Sequence, residues 1–121
     1  MLVAPVPLHW RRLAARRYNQ SALLAREIAR ARGLPLCPDL MRRLRATPSQ
    51  DGRGPEERFA NLAGAIAVPE RRRGRIEGRP VLVVDDVFTS GATLAAAAEA
   101  CLAAGAASVR VLALARVARA P

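Results

Sequence analysis

Lysine is absent from this sequence. All 20 basic residues of the 121-residue chain are arginine, against 10 acidic residues, so the net charge at pH 7 is +10. Any cationic group used in binding or catalysis must therefore be an arginine. Such a charge attracts polyanions, including pyrophosphate and nucleic acid. A coding bias toward arginine and alanine gives the same composition, so charge alone does not decide the function.

Aromatic, cysteine and histidine side chains are also scarce. Cys37 and Cys101 lie far apart in the sequence and His9 is the single histidine, which argues against a structural zinc site. We expect Cys101 to pack as a small residue in a helix. Aromatic residues make up 3% of the chain and are too scattered to form a stacking platform for single-stranded nucleic acid. They are Trp10, Tyr18, Phe59 and Phe88.

Several classes of protein and of nucleotide site are excluded because the sequence lacks their characteristic patterns. No apolar run approaches the roughly 20 residues that cross a bilayer, and the first ten residues lack the charged start of a secretory signal. Neither GxxxxGK[ST] nor GxGxxG occurs, which excludes a P-loop or Rossmann nucleotide site. We therefore expect one cytoplasmic domain over residues 1–121, without membrane insertion.

Hydrophobic periodicity predicts an α/β fold. The clearest part is a βαβ unit made of strand Pro80–Val84, helix Thr93–Ala104 closed by Gly105, and strand Val109–Leu114. Such a unit implies parallel strands and a right-handed crossover. A further helix is predicted from Asn19 or Gln20 to Arg32, further strands at Val3–Leu8, Leu40–Leu44 and Ala65–Val68, and a solvated basic turn at Arg71–Arg75.

The segment Val81–Thr93 contains the residues most informative about chemistry. A predicted buried strand stops at Asp85 and Asp86, at the carboxyl end where open α/β sheets bind ligands. Small residues then turn into a helix, and their N–H groups and hydroxyls can surround a phosphate at the helix N-terminus. Gly91 allows the backbone to approach the anion closely.

Two acids beside a phosphate cradle are explained by a ribose phosphate. The carboxylates accept hydrogen bonds from the sugar 2′ and 3′ hydroxyls, directly or through hydrated Mg²⁺, while the loop holds the 5′-phosphate. The alternative is an acidic strand end followed by an ordinary helix cap. The predicted site consists of Asp85, Asp86, Val87, Phe88, Thr89, Ser90, Gly91, Ala92 and Thr93.

The 13 positions Val81–Thr93 resemble the phosphoribosyl pyrophosphate (PRPP) signature of type I phosphoribosyltransferases, with Ser90 where many members have threonine. The resemblance implies a mainly parallel sheet flanked by helices, and we recognise no hood. The rest of the chain is similar to the ComF (GntX-like) competence family. The residues that carry this similarity are Pro5-Val6-Pro7-Leu8, Arg16-Arg17-Tyr18-Asn19-Gln20, Arg42-Arg43, Thr47-Pro48-Ser49-Gln50, Arg58, Asn61 and Leu112–Val117.

The ComF resemblance also implies roles for residues outside that signature. By analogy with other phosphoribosyltransferases, Arg16 and Arg17 would face the pyrophosphate, because guanidinium groups pair with phosphate oxygens bidentately. For both arginines a solvated basic turn is the alternative. Residues 50–61 correspond to the loop that covers PRPP, with Gln50 and Asn61 as further pyrophosphate contacts. Arg58 and Asp86 are the predicted catalytic residues, although Arg58 could instead pair with a neighbouring glutamate. Full-length members carry a zinc module and a further segment before the first strand, and we expect this chain to lack both.

Two functions follow from these resemblances. The first is an Mg²⁺-dependent phosphoribosyltransferase that acts on an unidentified acceptor. The alternative is a catalytically silent module that senses PRPP or a nucleotide in the DNA-uptake machinery. The ComF resemblance implies work beside a competence helicase, with contact to single-stranded DNA as an open alternative. The sequence leaves the oligomeric state open, a homodimer included.

Overall fold

The computed structural model describes residues 1–7, 20–43, 65–88 and 91–116. Strands and helices are numbered here in chain order. The strands are β1 (Leu2–Pro5), β2 (Arg42–Arg43), β3 (Ile66–Ala67), β4 (Pro80–Phe88) and β5 (Ser108–Arg116); the helices are α1 (Gln20–Arg32), α2 (Arg73–Ile76) and α3 (Ala92–Ala103), with a 3₁₀ turn at Glu70–Arg72.

A parallel three-stranded sheet in the order β1-β4-β5 forms the centre of the fold. On the outer side of β1, Leu36 adds a single parallel bridge to Val3. The Val3 N–H donates to the Pro35 carbonyl at 2.9 Å, and the Cys37 N–H donates to the Val3 carbonyl at 2.9 Å. The chain therefore returns from α1 parallel to β1, as the predicted α/β architecture requires.

Helices cover the two faces of this sheet, which explains the continuous aliphatic run Val81–Val84. Val81 and Val83 lie in the core cluster that includes α3, whereas Val84 packs with Val3 of β1 and with α1. Alternate side chains of a strand point to opposite faces. A strand that is covered on both faces therefore needs apolar residues at every position.

α1 packs on the sheet through a narrow stripe of small residues. Ser21, Ala25 and Ala29 are its buried positions, four residues apart and thus on one face of the helix. Ala25 and Ala29 pack with Val3 and Val84. The helix ends at Arg32, and it is followed by Gly33, where φ is +65°; the Leu34 N–H donates to the Ala29 carbonyl at 2.9 Å. The predicted end of this helix is confirmed.

Two local predictions are wrong. β4 does not stop at Val84 but continues through the acid pair to Phe88, because β5 extends beside it as far as Arg116 and supplies ladder partners. The basic segment Arg71–Arg75 is not an irregular turn but lies in the 3₁₀ turn and α2, anchored by the fully buried Ile76.

Three further strand predictions hold with shorter bounds, whereas β5 extends beyond the predicted Val109–Leu114 at both ends. β1 ends at Pro5 rather than Leu8, β2 covers only Arg42–Arg43, and β3 covers only Ile66–Ala67. No helix within the described ranges is long and apolar enough to span a membrane.

Candidate phosphoribose site

The acid pair lies in the carboxyl-terminal half of β4, the central strand of the sheet. Asp85 pairs with Ala113 of β5, and on the other side the Val6 N–H donates to the Val84 carbonyl at 2.9 Å. Both carboxylates are partly buried. Neighbouring strands therefore fix the backbone of the pair. Both acids lie toward the carboxyl end of the sheet and are partly accessible to solvent.

Ser21 of α1 contacts both acids. Its Oγ lies 3.0 Å from Asp85 Oδ1 and 3.4 Å from Asp86 Oδ1, and it accepts a hydrogen bond from the Asp86 N–H at 3.2 Å. The Asp86 N–H also lies 2.8 Å from Asp85 Oδ1. A serine hydroxyl has one proton to donate. The shorter distance makes Asp85 its main acceptor, while Asp86 contacts Ser21 chiefly through its backbone N–H.

The pKa of Asp85 is raised to about 6, first by burial and next by the hydrogen bond with the Asp86 side chain, while the hydrogen bonds from Ser21 and the Asp86 N–H act in the opposite direction. The causes are those expected for two neighbouring carboxyls that share a partly buried site. A cation or a set of hydroxyl donors at the pair would favour the ionised form. The site is therefore suited to a ligand that brings either.

The helix that follows the acid pair begins at a glycine in the left-handed conformation. Gly91 has φ +81° and caps α3, and its carbonyl accepts the Ala95 N–H at 2.8 Å. Ala92 is buried and Thr93 is partly buried. The helix thus starts one residue earlier than predicted. The left-handed φ is a second reason for a glycine at position 91, besides close approach to an anion, because this conformation is unfavourable for a residue with a Cβ.

Several predicted site residues lie outside the described residues, so their roles stay predictions. They are Arg16, Arg17, Gln50, Arg58, Asn61, Thr89 and Ser90, and for Val87 and Phe88 only the backbone in β4 is described. The predicted covering loop also lies outside the described residues, but the strands on either side of the segment 44–64 are described. β2 and β3 pair antiparallel, with Arg43 opposite Ile66, so the segment 44–64 leaves and returns at neighbouring points.

The donors in this site fit a hydrated magnesium ion better than a metal held by protein ligands alone. Among the described residues, no group of three or more His, Cys, Asp or Glu side chains is arranged to hold a metal. Mg²⁺ is commonly held by one or two carboxylates together with water and phosphate oxygens. Asp85 and Asp86 supply that kind of partial donor set and leave the remaining positions to water and a ligand.

An apolar groove of about 650 Å³ lies elsewhere on the α1 face. It is lined by Met1, Ile28, Ala31, Arg32, Leu34, Leu82, Arg110 and Leu112. These residues come from the second half of α1 and Leu34 after it, from Met1 before β1, and from β4 and β5. The groove therefore does not include the acid pair.

Ser21 is the site residue that the sequence prediction missed. Its signal was present, since it stands four and eight residues before the buried Ala25 and Ala29 and so belongs to the face that meets the sheet. A hydroxyl on such a face needs a partner. A search for a polar residue at the end of a small-residue stripe would have selected Ser21, but not the acids that it contacts.

Comparison with known proteins gives relatives that are named for competence and for DNA utilization. The chain is 34% identical over 92 residues to "Competence protein F" of Haemophilus influenzae, covering 76% of this chain and 40% of that protein. It is 36% identical over 114 residues to "DNA utilization protein YhgH" of Escherichia coli K12, covering 94% of this chain and 48% of that protein. The Salmonella typhimurium protein of the same name gives the same identity and coverage. The chain thus spans less than half the length of these relatives.

The family comparison covers most of the chain and includes the acid pair and α3. Residues 18–120 match the family described as "Phosphoribosyl transferase domain". The parallel sheet with a helix on each face agrees with this match. The chain belongs to the phosphoribosyl transferase domain family.

Proposed function

We propose that this domain binds PRPP together with Mg²⁺ and transfers the phosphoribosyl group to an acceptor. The order of structural features along β4 and α3 supports this proposal most directly. A buried central strand carries Asp85 and Asp86, and α3 starts at Gly91 only a few residues later. Family membership gives this arrangement its proposed ligand.

In the proposed complex the acids hold the sugar and the helix start holds the 5′-phosphate. Asp85 and Asp86 accept hydrogen bonds from the ribose hydroxyls, and backbone N–H groups near Gly91 bind the phosphate. A bound magnesium ion supplies charge neutralisation for the pyrophosphate. The family-derived positions Arg16, Arg17 and Arg58 are the proposed cationic partners of that leaving group.

The reaction itself requires positioning more than covalent chemistry. The bond between C1′ and the pyrophosphate oxygen breaks, the pyrophosphate leaves with that electron pair, and the acceptor forms the new bond to C1′. The chain's residues hold the sugar and stabilise the developing negative charge. A lid formed by residues 50–61 would exclude water, which otherwise hydrolyses the activated sugar.

The direct test is calorimetric titration with PRPP in the presence and absence of Mg²⁺. Asp85→Asn combined with Asp86→Asn should weaken PRPP binding at least about tenfold, because charge-assisted hydrogen bonds are lost. Glu99→Gln is the matched control, since Glu99 is an exposed carboxylate on α3. Equal PRPP affinity in the double variant and the control would refute the ribose role.

A second candidate is a sensing module without catalysis. The names of the relatives favour it, since "Competence protein F" refers to competence and "DNA utilization protein YhgH" to DNA utilization, and neither refers to a reaction. In that case the domain binds PRPP or a nucleotide and reports its level to the DNA-uptake machinery. Contact with single-stranded DNA would use the chain's excess of positive charge.

The two candidates differ in turnover. Pyrophosphate release from PRPP with a panel of nitrogenous bases supports the enzyme, and PRPP binding without release for any base supports the sensor. Anisotropy of a labelled single-stranded oligonucleotide, measured at several salt concentrations, tests direct DNA contact. An electrostatic contact should weaken steeply as salt rises.

A further inference from the structure

We infer that Ser21 is a positioning residue for PRPP binding, holding Asp85 and Asp86 in the orientation that receives the ribose. The inference rests on the proposed function. Ser21 does not contact the sugar. It acts through the two carboxylates, and it stands in a different element from them, 64 residues earlier than Asp85.

The geometry supports this role because one hydroxyl serves as a fixed point for both acids. Ser21 Oγ donates to Asp85 Oδ1 at 3.0 Å and accepts the Asp86 N–H at 3.2 Å. The first contact restricts the Asp85 side chain, and the second restricts the peptide between the acids. Without the hydroxyl, Asp85 would keep only the Asp86 N–H at 2.8 Å as a described donor to Oδ1.

Packing alone does not explain a serine at this position. Ser21 is 5% exposed and is the one buried polar or charged residue among those described. The two other buried positions of α1 are alanines on the same face. An alanine at position 21 would pack there without burying a hydroxyl, and a buried hydroxyl is unfavourable unless it is hydrogen-bonded. The acid pair supplies the partners that make the hydroxyl tolerable.

The same contact joins the start of α1 to the acid pair. Ser21 is the second residue of α1, and Arg17, a proposed pyrophosphate ligand, stands four residues earlier in the sequence. The hydrogen bonds from Ser21 therefore fix the start of α1 against the acid pair.

The experiment compares Ser21→Thr with Ser21→Val, which have nearly the same shape and differ by the hydroxyl. Calorimetric titration with PRPP and Mg²⁺ should give Ser21→Thr an affinity within about twofold of the unchanged chain. For Ser21→Val and Ser21→Ala we expect about tenfold weaker binding, the usual effect of losing a hydrogen bond to a charged group. Ser108→Ala is the control, since Ser108 is an exposed serine at the start of β5.

A double-mutant cycle separates positioning from a general structural effect. In the Asp85→Asn, Asp86→Asn background, Ser21→Ala should weaken PRPP binding less than it does in the unchanged chain, because its effect passes through the carboxylates. Equal effects in the two backgrounds would overturn the inference. So would unchanged PRPP affinity in folded Ser21→Ala, or equal affinities of the Thr and Val variants. If the unchanged chain does not bind PRPP at all, the proposed function fails as well, which distinguishes the two failures.

Discussion

The raised pKa of Asp85 predicts that Asp85→Asn stabilises the ligand-free domain at neutral pH. The pKa of this carboxyl is about 6 in the folded chain because the group is partly buried beside Asp86. In an unfolded chain the pKa is about 3.9. Between these pH values the folded state binds more protons than the unfolded state. The stabilisation from this group is therefore complete below about pH 4 and is lost as pH rises through about 6.

The magnitude follows from the difference between the two pKa values. At about 1.36 kcal/mol for each pH unit, a rise from about 3.9 to about 6 corresponds to roughly 3 kcal/mol of lost stability above pH 7. Partial access of solvent to the pair lowers this to about 1–2 kcal/mol. An asparagine carries no charge, and its Oδ1 can still accept the hydrogen bonds from Ser21 and the Asp86 N–H. Most of that 1–2 kcal/mol should therefore be recovered in Asp85→Asn.

Denaturant unfolding of the unchanged chain and of Asp85→Asn at pH 4.5 and pH 7.5 measures this effect. The variant should be about 1–2 kcal/mol more stable at pH 7.5, and the two chains should be close to equal at pH 4.5. Glu99→Gln serves as the control for removing an exposed carboxylate. A variant that is less stable at pH 7.5, or a difference that does not change with pH, would refute the reasoning.

Three further predictions concern the helix start, the proposed lid and the thiols. Gly91→Val should lose about 1–2 kcal/mol of stability, because valine disfavours the left-handed φ, and it should lose PRPP binding. Gly91→Asn should keep most of the stability. Thermal unfolding and PRPP titration of both variants check this. Hydrogen exchange in residues 50–61 should slow when PRPP is bound, and Arg58→Ala should lower the single-turnover rate more than PRPP affinity. Equal exchange with and without ligand, or a normal rate, would contradict these roles. Because burial raises the pKa of Cys101 to about 11 and also raises the pKa of Cys37, both thiols should react slowly with iodoacetamide at pH 8 until the chain is unfolded.

Much of the fold was predictable because its strands and helices carry clear periodic patterns. Val81–Val84 indicated a strand buried on both faces, and Gly33 and Gly105 marked the ends of the two long helices, as their positive φ values confirm. The acid pair was predicted as a site from its position after that strand. These features depend on local sequence, which is why they could be derived without knowledge of tertiary contacts.

The missed features depend on contacts between distant parts of the chain. The extension of β4 through Asp85 and Asp86 requires β5 as a partner, since aspartate is a poor strand residue by itself. The arginine-rich segment is helical because Ile76 is buried and Arg72 forms an ion pair with Asp39, 33 residues away. Ser21 was missed because its partners lie more than 60 residues away.

The alanine stripe of α1, Ala25 and Ala29, sets the distance between this helix and the sheet, and the geometry of the acid site depends on that distance. A serine hydroxyl reaches only one carbon beyond the backbone, so the helix must lie close to β4 for Ser21 to meet Asp85. Ala25 and Ala29 allow that approach because they add only a methyl group between the helix and Val3 and Val84. A leucine at position 25 would widen the gap between helix and sheet and draw the hydroxyl away from the acids. Core volume at position 25 is thus a determinant of site geometry, and a larger residue there would have to be matched by a longer polar side chain at position 21.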